Sequence, residues 1–518
     1  MRTLPNSTNR KVSDAEVAPW SWRFFGAAVG ILVGLMFSWS LASPLGSSPD
    51  EPAHFIRAAA VVRGEVVGKL QSGIPYATVV VPNYVSHTRE LPCYAGNIKL
   101  SAGCSTSLTY GIERSVTTAT SAGSNSPTYY AIVGLPTLIL SGDLALYAMR
   151  FVSLLLCSGL LAATLTVFRV LRLGNWASAG AIVGITPMAL FLGGSLNPNT
   201  MEMAASALVF ATVLLLARHG AVLSGKEFVL YGSLAVAGVT LLTGTRSISL
   251  LWLLSAVVAA LLLTQGSLLV LVLRRPRTWI VIAAIGLVAV LGLIWFIAPL
   301  PAGPATGGPP NDGVSRARVA ATMIKDTFGY WNGWIGYFGW LDQPSPDFVY
   351  VVWHLFIGVV LAGGIFAGRG RPRIVAASLA LVSFAIPVIV QSAIYSSQGW
   401  IWQGRYLLAI DLLLLITAGI SIDKATEGTP QLRNAPMVIR AFRAGLILMA
   451  VAQLLAFFQT LARYVVGSAP VWSVLRGAEW QPPLTWAGVT VLYTAILGFG
   501  VIAIWQALDR QTKPALTS

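Results

Sequence analysis

Charge is scarce in this sequence. Of 518 residues only 10% are Asp, Glu, Lys or Arg, where a soluble chain carries about a quarter. Hydrophobic residues make up 55%, and the mean hydropathy is +0.72. An ordinary water-soluble enzyme is thereby excluded. Acids are the rarer sign, 19 against 34 Lys and Arg, for a net charge of +15. Three cysteines and four histidines are too few for a disulfide scaffold or a thiolate metal cluster. A Walker loop, a dinucleotide fingerprint and a nucleophile elbow are all missing, so ATP-driven transport and serine hydrolysis lose support. There is no repeat of fixed period and no separate soluble domain. A strongly basic balance often means nucleic acid, but a membrane explains it more simply: cations gather in cytoplasmic loops and face anionic lipid. Membrane lipid, not nucleic acid, is the expected surroundings.

What the chain does have is apolar runs near the roughly 20 residues that cross a bilayer. They lie near 20–43, 145–171, 176–193, 199–218, 227–243, 247–270, 279–299, 348–367, 374–395, 401–421, 441–463 and 484–508. The first, behind Arg10, Lys11 and Arg23, resembles a signal peptide ending at Leu41-Ala42-Ser43. With so many later runs, an uncleaved helix is the better reading. About 12 transmembrane helices put both termini on one side. Taking that side as cytoplasmic, every inside segment is basic: Arg169 and Arg172; Arg218 and Lys226; Arg274, Arg275 and Arg277; Arg369, Arg371 and Arg373; Lys424, Arg433, Arg440 and Arg443; Arg510 and Lys513. The expected fold is an all-α polytopic membrane protein, one integral membrane domain over 1–518.

Two outside segments are longer than connections need. The first extracytoplasmic loop, 44–144, opens with Ser48-Pro49-Asp50-Glu51-Pro52 and continues AHFIRAAAVVRGEVVGKL. Pro52 suits a first helical position, and the apolar spacing predicts an amphipathic helix lying on the membrane surface. Residues 73–126, rich in Ser, Thr and Gly, read as strands and loops, and Tyr129–Leu140 as a re-entrant or interfacial piece too short to span. The second long loop, 300–346, starts PAGPATGGPP and ends WNGWIGYFGWLD. Trp331, Trp334, Tyr337, Phe338 and Trp340 read most simply as an interfacial aromatic belt, as do Tyr129 and Tyr130. Cys93 and Cys104 are placed to form a disulfide outside, while Cys157 reads as packing.

Chemistry falls to the few charges at one depth. Asp50 and Glu51 could simply cap a helix. His54, four residues on, shares a helical face with Asp50, so the group suits a general base, or a divalent cation held by Asp50, Glu51 and His54. Partial burial would raise the Asp50 pKa and make it a better base near neutrality. Arg150, Glu202 after the Asn197-Pro198-Asn199 turn, Arg246, and Arg405 with Gln403 and Tyr406 all fall on the same side. Ionisable groups in apolar spans are costly and default to functional candidates, against which stand interfacial anchors and helix-to-helix ion pairs. The Arg405 guanidinium suits a phosphate through its fixed fork, with Arg246, Arg316 or Arg318 as second contacts.

SPDEPAHF, SPTYY, TPMALFLGGSLNPN and QGRYLL, in that order from residue 48 to residue 411, resemble a bacterial family of predicted membrane proteins. That family is marked by a P-D-E-P-x-H motif and has long carried an unknown-function label. The family in turn resembles the GT-C class of glycosyltransferases, which use polyprenyl-phosphate sugars on the extracytoplasmic face. The resemblance implies a GT-C-like fold in the bacterial inner membrane. It further implies a polyprenyl-phosphate sugar donor, a cell-envelope glycan or lipid acceptor, and an acidic pair acting as base or metal contact. Asp50 and Glu51 match that pair. Asn125 and Ser126 stand where a His-Pro-Pro-like start is expected, so no role passes to a histidine there. Tyr129 and Tyr130 in SPTYY and Asn197 and Asn199 in SLNPN become supporting candidates. A transporter or lipid-linked-oligosaccharide flippase also suits twelve spans, but transporters show repeats and broken helices at midplane. A non-catalytic assembly protein, with the acids only capping, is the third reading.

Overall fold

Local chemistry sets where the long helices begin and break. Ser21 caps the first span, Trp22–Ala42, its hydroxyl accepting from the Phe24 amide. Ser224 and Glu227 close a reciprocal capping box on Gly225–Thr243. The computed structural model describes residues 17–71, 74, 76–108, 114–298, 313–427 and 436–512. Outside these lie Arg10, Lys11, Arg433, Lys513 and the stretch PAGPATGGPP, and the side chain of Arg510 is likewise not described.

Ten of the described helices are long and apolar enough to cross a membrane, and counting each of two bent pairs as a span gives twelve. The expected all-α polytopic architecture is present. The runs at 176–193 and 247–270 are not straight: Asn175–Gly184 meets Pro187–Gly193 at 62°, and Ser249–Leu262 meets Gly266–Leu273 at 108°. At the first break Pro187 disfavours helical geometry at Thr186. That residue turns extended and its hydroxyl caps the next segment, accepting from the Ala189 amide.

Pro198–His219 and Gly404–Ala425 are almost wholly buried, while the most apolar window of Pro276–Ile297 has no buried residue. The first two form the centre of the bundle, and the third lies at its rim. Gly404–Ala425 packs against Asn175–Gly184, Gly370–Gln398 and Pro198–His219.

The segment after the first span folds onto one end of this bundle. β1 (Ala77–Pro82) and β2 (Ser115–Thr120) pair antiparallel, from Ala77 opposite Thr120 to Pro82 opposite Ser115. Cys93 and Cys104 are joined in a disulfide. The helix that starts the segment, Glu51–Val61, corrects the expectation of an amphipathic surface helix. Ten of its eleven residues are buried, Arg57 and His54 included. It is covered by Pro127–Val133, by both strands and by the turn at His87–Arg89, so it has no broad face left for lipid. The interfacial aromatic belt expected at 331–340 is likewise partly internal. Trp334 and Phe338 are buried, the Phe338 ring lying tilted against Trp39 and edge-on to Phe191.

Candidate active site

Three ion pairs use six of the charges singled out in the sequence, and two of them tie the segment after the first span to the bundle. Glu51 pairs with Arg150, Asp50 with Arg405, and Glu202 with Arg246. Their environments differ, and so does what each can do.

Glu51 and Arg150 are sealed, both side chains at 0% exposure. Arg150 Nε and Nη2 donate to the two Glu51 carboxylate oxygens, each at 2.7 Å. Nη1 donates to the carbonyls of Ser40 and Ser43, and Nη2 also to Pro44. All five N–H donors of the guanidinium are thus engaged. Glu51 Oε1 accepts the Leu196 amide as well, at 2.8 Å. This group clasps the end of the first span, the second span and the turn before Asn197. It leaves Glu51 no lone pair facing open space.

Asp50 is the opposite case. It sits just before the helix at φ +67°, a left-handed conformation that Asp tolerates better than most residues. Its side chain makes no capping bond, so simple capping does not describe it. Oδ2 accepts from Arg405 Nη2 at 2.6 Å, with Asp50 47% exposed and Arg405 1%. Arg405 Nη1 holds the Pro49 carbonyl at 3.1 Å. Burial raises the Asp50 carboxyl, but the Arg405 guanidinium, the hydrogen bond from Arg405 and the Arg246 charge together hold it below the usual carboxylate range. That reverses the sequence-based expectation of a raised pKa. Asp50 is ionised at neutral pH and able to take a proton only transiently.

Arg246 Nε and Nη2 both meet the Glu202 carboxylate, and Nη2 also meets Asn199 Oδ1. Ser249 Oγ donates to the same carboxylate at 2.8 Å, and Thr245 Oγ1 at 3.3 Å. Its Nη1 has no protein partner among the described residues, and the side chain is 19% exposed. Tyr406 lies between the two cations, its ring centroid 4.9 Å from the Arg246 guanidinium and 5.4 Å from that of Arg405. Asn197 caps the fourth span through the Asn199 amide and donates to the Pro49 carbonyl. Gln403 Oε1 and Arg405 Nε are buried without a partner among the described residues. Gly404 is obligatory here, because a Cβ would run into the Tyr330 carbonyl.

His54 is buried on the inner side of this cluster. Its Nδ1 is 2.9 Å from the Tyr130 hydroxyl, which accepts from Asn125 Nδ2 at 2.8 Å. Tyr129 is also buried and bonds Ser153, so neither tyrosine is a lipid-facing anchor. Arg316 and Arg318 are exposed on Arg316–Lys325 and have no polar contact with this cluster among the described residues.

The residues do not suit a divalent cation. Glu51 is consumed by Arg150, and among the described residues no three His, Cys, Asp or Glu side chains converge as a metal site. The trio Asp50, Glu51 and His54 is therefore corrected: neighbours in sequence, they point to different partners.

Arg57 was not singled out from the sequence. It is fully buried with no acid paired to it among the described residues, donating to the carbonyls of Val66 and Asn125, its guanidinium 5.9 Å from the Tyr130 ring centroid. An arginine in the middle of AHFIRAAAVV was the available signal. The Arg463–Asp342 contact was also missed.

These features define a multi-pass, all-α membrane protein with a charged cluster at one end of its helices. The chain belongs to the family described as predicted membrane protein (DUF2142), whose profile matches residues 32–414. Among solved structures, ArnT from Cupriavidus metallidurans, crystallised bound to undecaprenyl phosphate, is similar at 15% identity. The match spans 92% of this chain and 77% of that one, with a TM-score of 0.37. No curated protein matches.

Proposed function

We propose that the protein is a membrane glycosyltransferase that moves a sugar from a polyprenyl-phosphate donor to a cell-envelope acceptor. The observation that carries this reading is one half-exposed carboxylate, Asp50, paired with Arg405 and within the electrostatic reach of Arg246 at the end of a membrane-embedded bundle. A donor with a membrane-buried tail presents its phosphate and sugar carbon at that depth. In the reaction the acceptor hydroxyl gives its proton to the Asp50 carboxylate while its oxygen bonds to the anomeric carbon. The bond from that carbon to the phosphate oxygen breaks, and polyprenyl phosphate leaves with the electron pair. Arg246, through its free Nη1 edge, meets the phosphate. Arg405 joins when phosphate competes for the Nη2 proton now held by Asp50. That exchange also removes the main brake on Asp50 basicity, so base strength rises when donor is bound. Purified protein incubated with radiolabelled polyprenyl-phosphate sugars and an envelope extract should transfer label. No transfer from any such donor would sink the reading.

The distribution of Lys and Arg supports an extracytoplasmic cluster and cytoplasmic termini. Glu90, 64% exposed at its side chain, is a suitable reporter: Glu90→Cys should react with an impermeant thiol reagent in intact cells. Labelling only after lysis would invert the topology.

Arg405→Lys tests the fork. A single ammonium cannot hold both the Pro49 carbonyl and Asp50 with the same geometry, and transfer should fall by about 10-fold or more. The pH profile gives a second readout. Because Arg405 depresses Asp50 in the free protein, the acid limb of kcat/KM should lie below about pH 4. The ion pair's contribution to stability is complete above the unfolded-state pKa and is lost as pH falls through the lower folded-state value. Arg405→Gln should move the limb upward, and an unmoved limb would remove Asp50 from the titration.

A further inference from the structure

We propose that His54 is a hydrogen-bond donor of fixed tautomer, carrying its proton on Nε2 to hold an oxygen of the bound anionic substrate, and that Asn125 and Tyr130 set that tautomer. The inference rests on the transferase reading for the identity of the substrate, but its core is a matter of proton accounting. The Asn125 amide nitrogen has no lone pair and donates to the Tyr130 hydroxyl at 2.8 Å. Among the described residues the single Tyr130 proton then has one acceptor in reach, His54 Nδ1 at 2.9 Å. An imidazole that accepts at Nδ1 is either neutral with its hydrogen on Nε2, or not bonded this way at all.

The surroundings keep the ring neutral. Burial lowers the His54 pKa to about 3, with Asp50 opposing and Arg246 and Arg405 reinforcing the shift. The same three residues that form the candidate site are therefore His54's electrostatic neighbours. Arg57 works from the other side, holding the Asn125 carbonyl at 2.7 Å with its guanidinium near the Tyr130 ring. The relay is thus anchored at its far end by a buried cation. Among the described residues His54 Nε2 has no protein partner, and it is not among the sealed polar atoms. A neutral donor beside two cations adds a directed bond to an anion's oxygen without adding charge.

Two consequences follow for the reaction. With its lone pair spent on Tyr130, His54 abstracts no proton, which leaves that task to Asp50. Nor does Nε2 offer a lone pair to a metal ion. Asn125, at the position where a histidine start is expected from the resemblance, acquires a role of its own as a positioning residue.

The protein has four histidines, so selective ¹⁵N-histidine labelling of the full chain in lipid nanodiscs is tractable, with His54→Gln assigning the signal. The expected result is a proton bound to Nε2, a bare Nδ1, and no titration over roughly pH 5 to 9, where an ordinary histidine changes charge. Tyr130→Phe should release the tautomer and change that pattern without unfolding the protein. A proton on Nδ1, a charged ring, or an unchanged spectrum in Tyr130→Phe would overturn the proposal whatever the reaction turns out to be. In transfer assays His54→Leu should raise the donor KM roughly 10- to 100-fold. His54→Gln, whose amide can place an N–H near Nε2, should lose less. Equal losses in the two variants would reject the donor role while leaving the transferase reading intact.

Discussion

Asp50→Asn should leave a folded protein whose transfer activity is lower by about 10²–10⁴-fold. Each part of that expectation has a structural reason. Asparagine has the size of aspartate and its carbonyl oxygen can still accept from Arg405 Nη2. It adopts the left-handed conformation required at φ +67° as readily as aspartate does. The Asp50 side chain makes no capping bond, so the following helix does not depend on its charge. Basicity is lost together with the charge that pairs with Arg405, a change that a hydrogen bond from Arg405 to the asparagine carbonyl partly offsets. Alanine would be a poorer test, because it combines backbone strain with an unpaired, buried Arg405. Transfer rate and thermal unfolding in detergent, measured together, separate the readings. Near-normal turnover in a stable Asp50→Asn protein would remove Asp50 as the base.

The sequence carries the spans, and the physical reason is simple: twenty apolar residues have few alternatives to crossing a bilayer. It carries the charged residues too, since an Asp or Arg next to an apolar run is conspicuous. It does not carry their pairing. Asp50, Glu51, Arg150, Glu202, Arg246 and Arg405 were all placed at one depth, but depth says nothing about which helix faces which. Adjacent Asp50 and Glu51 therefore looked like one device, whereas the chain turns at Asp50 and sends the two carboxylates to different arginines. The bend at Thr186-Pro187 was also in plain view. A hydropathy window averages across it and reports one straight span. The burial of Glu51–Val61 depended on long-range cover from residues 77–133, for which apolar spacing within the helix holds no information.

Glu51→Ala should have the opposite phenotype to Asp50→Asn: loss of the fold rather than of the reaction. Removing the carboxylate strips the guanidinium of Arg150 of two of its partners inside a site with no exposure. A buried cation left unpaired in this way typically costs about 3–5 kcal/mol. The Leu196 amide loses its acceptor as well, adding roughly 1–3 kcal/mol for an unsatisfied buried donor. Replacing both partners by apolar residues is often harmless for an isolated buried pair. It should not be here, because Arg150 also satisfies the carbonyls of Ser40, Ser43 and Pro44. Those carbonyls lie where the first span ends, so Glu51→Leu with Arg150→Met frees three acceptors and one donor at once. Both the single and the double variant should show poor yield and a shorter half-life at elevated temperature in detergent, the appropriate measure where unfolding is irreversible. A Glu51→Ala protein as stable as the parent but inactive would show instead that Glu51 acts on the substrate, and would return the adjacent acids to a single catalytic device.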